Sequence, residues 1–288
     1  MEIIWALASS LMFAGTFLLI KLGRERSTHL SVLWITLSIN VFLLILLNFF
    51  FLPSVVIDLW EWRYFIVAGL FAPLLGRLFQ FIGMSSLGAN VTTSITLTHP
   101  LFSVLIGYFI LNESASLVQI NGGIIVVIGS LLIALSSQTR VVKVGKTVTL
   151  ISLYAPFLAS IAYGVSISFR KIGIDQGIDP LLASAVTITT SWLVLSGFIL
   201  LSNLKITCTK KEFKYFASAG LLSSIGPVFL YMALSEGSLI VVAPLAATTP
   251  LMVFVGTWFM ARSNEAFNKL IFAGVCLTML GIVLLNLG

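Results

Sequence analysis

Charge is scarce in this chain. Asp, Glu, Lys and Arg make up 9% of its 288 residues, whereas an average soluble domain carries about 25%. Hydrophobic residues make up 59%, and no water-soluble fold hides that much apolar surface behind so thin a polar shell. Cysteine is equally sparse. Cys208 falls in a basic loop and Cys276 in an apolar run, which gives neither a disulfide framework nor metal-ligand spacing. His29 and His99 are the two histidines. They form no H-E-x-x-H motif, and no Gly-flanked serine has a plausible histidine partner. There is no Asp-rich pair for a prenyl-diphosphate metal site. An intramembrane enzyme therefore finds no catalytic constellation here, and no cofactor is expected. No nucleotide-binding loop is present, which excludes primary transport.

What the chain does have is long apolar runs. A helix needs about 20 apolar residues to cross the hydrocarbon core. Ten such runs are readable: 3–22, 30–52, 63–86, 89–111, 117–137, 149–169, 180–202, 213–235, 239–261 and 268–287. They are continuous and rich in Leu, Ile, Val and Phe rather than alternating, so they are helices and not barrel strands. The expected fold is an all-α membrane protein of ten transmembrane helices. The start, Met1-Glu2-Ile3-Ile4-Trp5, lacks a basic leader region, so the first run is expected to be retained. Joints at 87–88 and 236–238 are very short and force antiparallel neighbours. Pro53 and Pro180 mark run ends; Pro100 and Pro250 fall inside runs, should kink them, and free backbone carbonyls.

The net charge of +6 does not imply nucleic acid, because the basic residues sit in loops between apolar runs, where they orient the chain and meet anionic headgroups. One side carries Lys21, Arg24, Arg26, Arg140, Lys143, Lys146, Lys205, Lys210, Lys211, Lys214, Arg262 and Lys269. The other, with both termini, carries Arg63, Arg170 and Lys171. The richer side should be cytoplasmic, which places both termini outside.

The chain also matches itself about 150 residues on. Ser10/Ser160, Lys21/Lys171, Gly23/Gly173, Gly76/Gly226, Ser85/Ser235, Thr98/Thr248 and Pro100/Pro250 correspond. After a two-residue shift, so do Glu113/Glu265, Gly122/Gly274 and Gly129/Gly281, an E-x8-G-x6-G pattern in both halves. Each half, 1–138 and 149–288, holds five spans. An odd number makes the second half enter from the opposite side, so the repeat is inverted, the architecture of secondary transporters with a solute near the midplane.

These motifs resemble the EamA-type transporters of the drug/metabolite transporter superfamily. The resemblance rests on Tyr231-Met232-Ala233-Leu234-Ser235, Val241-Val242-Ala243-Pro244-Leu245, Thr249-Pro250-Leu251, and Glu265 with Gly274 and Gly281. A weaker first-half copy runs through Phe81 to Ser85, His99-Pro100-Leu101, Glu113, Gly122 and Gly129. It implies a central cavity between two five-helix repeats of a plasma-membrane carrier, monomeric or homodimeric, that exports or exchanges small metabolites. It does not fix the solute. A lipid-linked sugar flippase is the alternative on the same fold. The chain departs from the family pattern at Phe13-Ala14-Gly15, where a Trp-Gly pair is common, and at Arg262-Ser263-Asn264 before Glu265. The termini of many members are inside, the reverse of the charge count here.

Candidate substrate-binding residues are Arg77, Gln80, Thr96, His99, Tyr163 and Tyr231. Arg77 lies nine residues inside the end of its run, or about 13 Å at helical rise. Such a cation is too costly to face lipid. Either it anchors an anionic group, or it is a structural arginine bonded to carbonyls near Pro73 and Gly76. Gln80 and Met84 share its face. Thr92, Thr96, His99 and Ser103 form a stripe at helical spacing that faces the interior, as pathway lining or as interhelical hydrogen bonding. His99 either titrates with the solute or is a satisfied core residue. Tyr163, with Ser160, and Tyr231, with Ser224, grip the solute or pack with bonded hydroxyls. Glu113 and Glu265 read as helix N-terminal caps, and Lys21 and Lys171 as helix C-terminal cations that either snorkel or guard a cavity mouth. No acidic residue lies deep in a run, which favours a neutral, zwitterionic or anionic solute over a cationic one.

Overall fold

The computed structural model describes residues 1–52, 58–87, 92, 95–136, 150–260 and 269–287. Among these the regular elements are all helices. The elements are α1 (Glu2–Gly23), α2 (His29–Phe51), α3 (Leu59–Gly69), a π-helical stretch (Leu70–Gly76), α4 (Arg77–Leu87), α5 (His99–Phe109), α6 (Leu117–Ser136), α7 (Leu150–Ile174), α8 (Pro180–Leu201), α9 (Lys210–Glu236), α10 (Leu239–Ala246), α11 (Thr249–Met260) and α12 (Lys269–Leu287). Among the described residues, six helices are long and apolar enough to cross a bilayer, and four shorter apolar helices accompany them. Side chains of Met84, Ser85 and Pro250 lie outside the described set, as do Pro53, Arg140, Lys143, Lys146, Arg262 to Glu265, and most of the first half of run 4.

Helix starts follow local chemistry. Thr28, Asp58, Asp179 and Ser238 each accept a backbone N–H of the helix they precede. Thr209 and Glu212 form a capping box that starts α9 at Lys210, three residues before run 8. Run 6 is also longer than its hydropathy suggests. It continues to Ile174, so Arg170 lies inside α7 and not in an outer loop, because the helix packs against protein there rather than ending at the bilayer surface.

Three spans are irregular where proline occurs. Pro73 has no N–H for the carbonyl a turn earlier, and the helix widens to π over Leu70–Gly76. The exposed carbonyls are taken up by other helices: Ser166 Oγ donates to Ala68 O at 2.8 Å and Ser191 Oγ to Gly69 O at 2.8 Å. Run 4 breaks at a turn over Leu97–Thr98 and run 9 at one over Ala247–Thr248, each just before its proline. At the first break Thr98 Oγ1 donates to Ile95 O, and Ser160 Oγ sits 2.9 Å from that hydroxyl. At the second Thr248 Oγ1 donates to Leu245 O, and Ser10 Oγ donates to Leu245 O and Ala246 O.

Long-range packing joins α1 to α9, α2 to α8, α7 to α3 and α4, and α6 to α12. The α6–α12 seam is built on small residues. A Cβ on Gly122 would meet Gly281 O at 3.0 Å, and one on Gly129 would meet Thr278 N at 2.6 Å and Gly274 O at 2.8 Å. Such backbone approach is how helices associate without a hydrophobic driving force between them. Between α2 and α8, Trp34 Nε1 donates to Ser196 and Trp192 Nε1 donates to Ser38.

Gly129→Ala should therefore lower thermal stability in detergent by about 1–3 kcal/mol, since the new methyl meets backbone rather than a yielding side chain. Gly197→Ala is the control: nothing lies within 4 Å of a Cβ there, so its melting temperature should hold or rise slightly. Equal effects at the two positions would remove the seam as the cause.

Candidate functional site

The interior is polar where α4, α5 and α7 meet. Gly76 lets the α7 backbone side approach, and a Cβ there would sit 3.0 Å from the Tyr163 ring. Tyr163 donates its hydroxyl to Gln80 Oε1 at 2.9 Å. Its ring lies 5.9 Å from that of His99. His99 Nδ1 is 3.1 Å from Thr96 O, and Thr96 donates to Thr92 O. Gly164 brings α7 against His99 O. The stripe Thr92, Thr96 and Ser103 is buried, so it faces protein as the spacing predicts. The Thr92 hydroxyl is buried with no hydrogen-bond partner among the described residues.

Arg77 starts α4 directly after the π-helical stretch and is half-buried. Its electrostatic neighbours are the Tyr163 hydroxyl and a second cation, Arg170. Among the described residues it forms no ion pair and no hydrogen bond to a carbonyl; the carbonyls freed near Pro73 go to serines instead. Five of the six candidate residues, Arg77, Gln80, Thr96, His99 and Tyr163, thus share one region.

Tyr231 stands apart from them. It is fully buried, its hydroxyl lies 2.5 Å from Thr187 Oγ1, and its ring packs edge-on against Phe65. Arg170, 6% exposed, places its guanidinium 5.3 Å over that ring. Ser224 does not join Tyr231; it meets Asn40 and Gly220 O. Arg170 is the residue that the hydropathy reading missed. The signal available was its i, i+7 spacing from Tyr163, which puts both on one helix face once α7 is extended by a turn.

The outer ends are closed by cross-helix caps. Glu113 accepts N–H groups of Leu239 at 2.8 Å and Ile240 at 3.1 Å, so it caps α10 of the other half and not the helix that follows it. Lys171 reaches Asp175 at 2.7 Å and Leu234 O at 2.9 Å, a cation on the closing turn of α9. At the opposite end Glu212 accepts the N–H groups of Glu25, Arg26 and Ser27. Two hollows lie away from the polar cluster: one of about 410 Å³ beside Arg26, Cys208 and Glu212, and an apolar one of about 320 Å³ beside Leu101, Ile120 and Pro244.

An all-helical, multi-pass membrane protein with polar side chains and two cations inside its bundle has the make-up of a solute carrier. The EamA-like transporter family matches residues 1–135 and, a second time, 150–287, and the chain belongs to that family, within the drug/metabolite transporter superfamily. No curated protein matches it. A solved structure described as "Crystal structure of protein" superposes with a TM-score of 0.82 over 99% of this chain and 98% of its own, at 12% identity, which shows a shared fold.

Replacing Glu113 by Gln should lower the melting temperature by the equivalent of about 1 kcal/mol, the usual effect of losing a charged N-terminal cap, and leave transport per folded molecule unchanged. Loss of transport at unaltered stability would instead make Glu113 a proton-carrying group.

Proposed function

We propose that the protein is a secondary transporter of small neutral, zwitterionic or anionic metabolites, and that it works by alternating access between two inverted five-span halves, 1–138 and 149–288. Several observations support the inverted repeat. The family matches the chain twice. Ser10 meets the broken helix of the second half, and its counterpart Ser160 meets that of the first. Gly122 faces Gly281 while Gly129 faces Gly274, so each glycine of one pattern meets the opposite glycine of the other. Two such halves can hold unequal conformations and exchange them.

In this reading Arg77 anchors the anionic group of the solute, with Gln80, Thr96, His99 and Tyr163 around it. The observation that carries it is the absence, among the described residues, of any protein anion paired with Arg77. Tyr231 serves by holding Arg170 and not by touching the solute directly. The apolar hollow beside Leu101 favours, as a second reading, a flippase for lipid-linked sugars, because an acyl chain could lie there. Gln119 is its single polar lining side chain, so it offers a headgroup little, and the metabolite reading comes first.

A thermal-shift screen against amino acids, organic acids and sugar phosphates would find the solute. Arg77→Gln should then weaken its binding by roughly tenfold to a hundredfold, the worth of a hydrogen bond to a charged group. Arg77→Lys should lose less, since it keeps charge but not the fork. Normal transport by Arg77→Gln would sink the anchor role.

Among the described residues, Lys21, Arg24, Arg26, Lys205, Lys210, Lys211, Lys214 and Lys269 mark one end of the bundle and Arg63 and Lys171 the other. With Arg170 now interior, the asymmetry still supports a cytoplasmic first end in a cell membrane. A C-terminal reporter active only in the cytoplasm should be silent; strong signal would reverse the orientation.

A further inference from the structure

The reading above has Tyr231 hold Arg170 without saying what Arg170 does, and its surroundings point to a role. It is almost fully buried near the end of α7. The Tyr231 ring covers one face of its guanidinium. Among the described residues its five N–H donors form no hydrogen bond and no ion pair. Several acids at that end of the bundle are engaged elsewhere: Asp175 by Lys171, Glu236 by Trp5 Nε1 and the amino terminus, Glu113 by Leu239 and Ile240 N–H, and Asp179 by Leu181 N–H, while Glu2 lies against Gly237; among the described residues none of them bonds Arg170.

Tyr163 and Arg170 are seven residues apart on one face of α7, two turns or about 10.5 Å of rise. Tyr163 packs against Gly76 and donates to Gln80, the residues that flank Arg77 on its span. Two guanidinium groups therefore lie in one low-dielectric interior, and among the described residues neither is paired with a protein carboxylate. An unpaired buried cation is costly, and a second cation nearby adds to the cost. A ligand that neutralises both relieves it, and one that neutralises a single charge leaves the other exposed to the same penalty.

We infer that Arg77 and Arg170 form a two-point anion site and that the solute is a small organic dianion, a dicarboxylate or a phosphate monoester, with one anionic group or oxygen edge on each arginine. This rests on the transporter reading and on Arg77 as the first anchor, and it narrows the solute from neutral, zwitterionic or anionic to doubly anionic.

The test uses the purified full chain in detergent at fixed ionic strength. Succinate and its singly charged isostere monomethyl succinate are compared by thermal shift and calorimetry, alongside glycerol 3-phosphate with glycerol as its uncharged control. The wild type should bind at least one dianion tenfold or more tightly than its control; which pair responds separates carboxylate from phosphate. Arg170→Gln should reduce that preference to within about twofold while leaving binding of the monoanion near its wild-type value. Arg170→Lys should keep a weakened preference, which retains a readout if the Gln variant does not fold. If the wild type binds succinate and monomethyl succinate equally and shows no response to glycerol 3-phosphate, the inference is overturned. It is also overturned if Arg170→Gln keeps the full preference. Should Arg77→Gln abolish monoanion binding while Arg170→Gln leaves the preference intact, the Arg77 anchor stands and the second point alone is wrong. Should Arg77→Gln transport normally, the anchor itself falls.

Discussion

Inside a bilayer every backbone N–H and C=O needs a partner from the protein, because the hydrocarbon offers none. This chain interrupts its helices anyway, at Pro73, at Leu97–Thr98 and at Ala247–Thr248. Each interruption leaves carbonyls that water would otherwise satisfy. Serines on neighbouring spans take them: Ser166 and Ser191 at the π-helical stretch, Ser10 at Leu245 and Ala246, with Ser160 bound to Thr98 at the remaining break. The irregular backbone is therefore possible only where another helix lies against it. That requirement draws α1 to α10, α7 to α5, and α7 and α8 to the α3–α4 span, and so fixes the arrangement of the interior.

The same demand operates at the helix ends. An apolar helix starting next to a very short joint has free N–H groups close to the bilayer surface. Glu113 accepts those of α10, and Glu212 accepts those of the turn after α1. In each case the carboxylate comes from a distant part of the sequence, so a cap at the surface is also a tie between spans. Such ties are polar and geometrically sharp, unlike an extended apolar contact, and can be exchanged as units.

Much of this was legible in the sequence. The apolar runs announced an all-helical membrane protein, because bilayer thickness and backbone satisfaction leave few other solutions. Capping by Glu113 was legible, but not which helix it caps, since sequence neighbours suggest the following helix and only packing brings α10 to it. The T-x-x-E at Thr209 and Glu212 was a readable capping box, hidden by a hydropathy cutoff that began the span at residue 213. The π-helical stretch was not legible: Pro73 announces a disturbance and does not say whether the helix kinks or widens. Arg170 was misplaced because hydropathy ends a run at the first pair of charges, Arg170-Lys171. Those two side chains part company, Lys171 to Asp175 and Leu234 O at the surface, Arg170 to the Tyr231 ring inside.

That divergence also bears on how the interior tolerates charge. Tyr231 is held rigidly, its hydroxyl on Thr187 and its ring against Phe65. An aromatic face attracts a guanidinium without neutralising it, and a desolvated cation–π contact contributes about 2 kcal/mol, less than the several kcal/mol needed to strip a cation of water. Tyr231 therefore positions Arg170 and leaves most of its desolvation cost unmet. A carboxylate in the same place would have met that cost and closed the site to any other anion. The chain has carboxylates within one or two turns, at Asp175 and Glu236, and both are turned to surface partners. Among the described residues the interior is thus left with positive potential that no protein carboxylate neutralises.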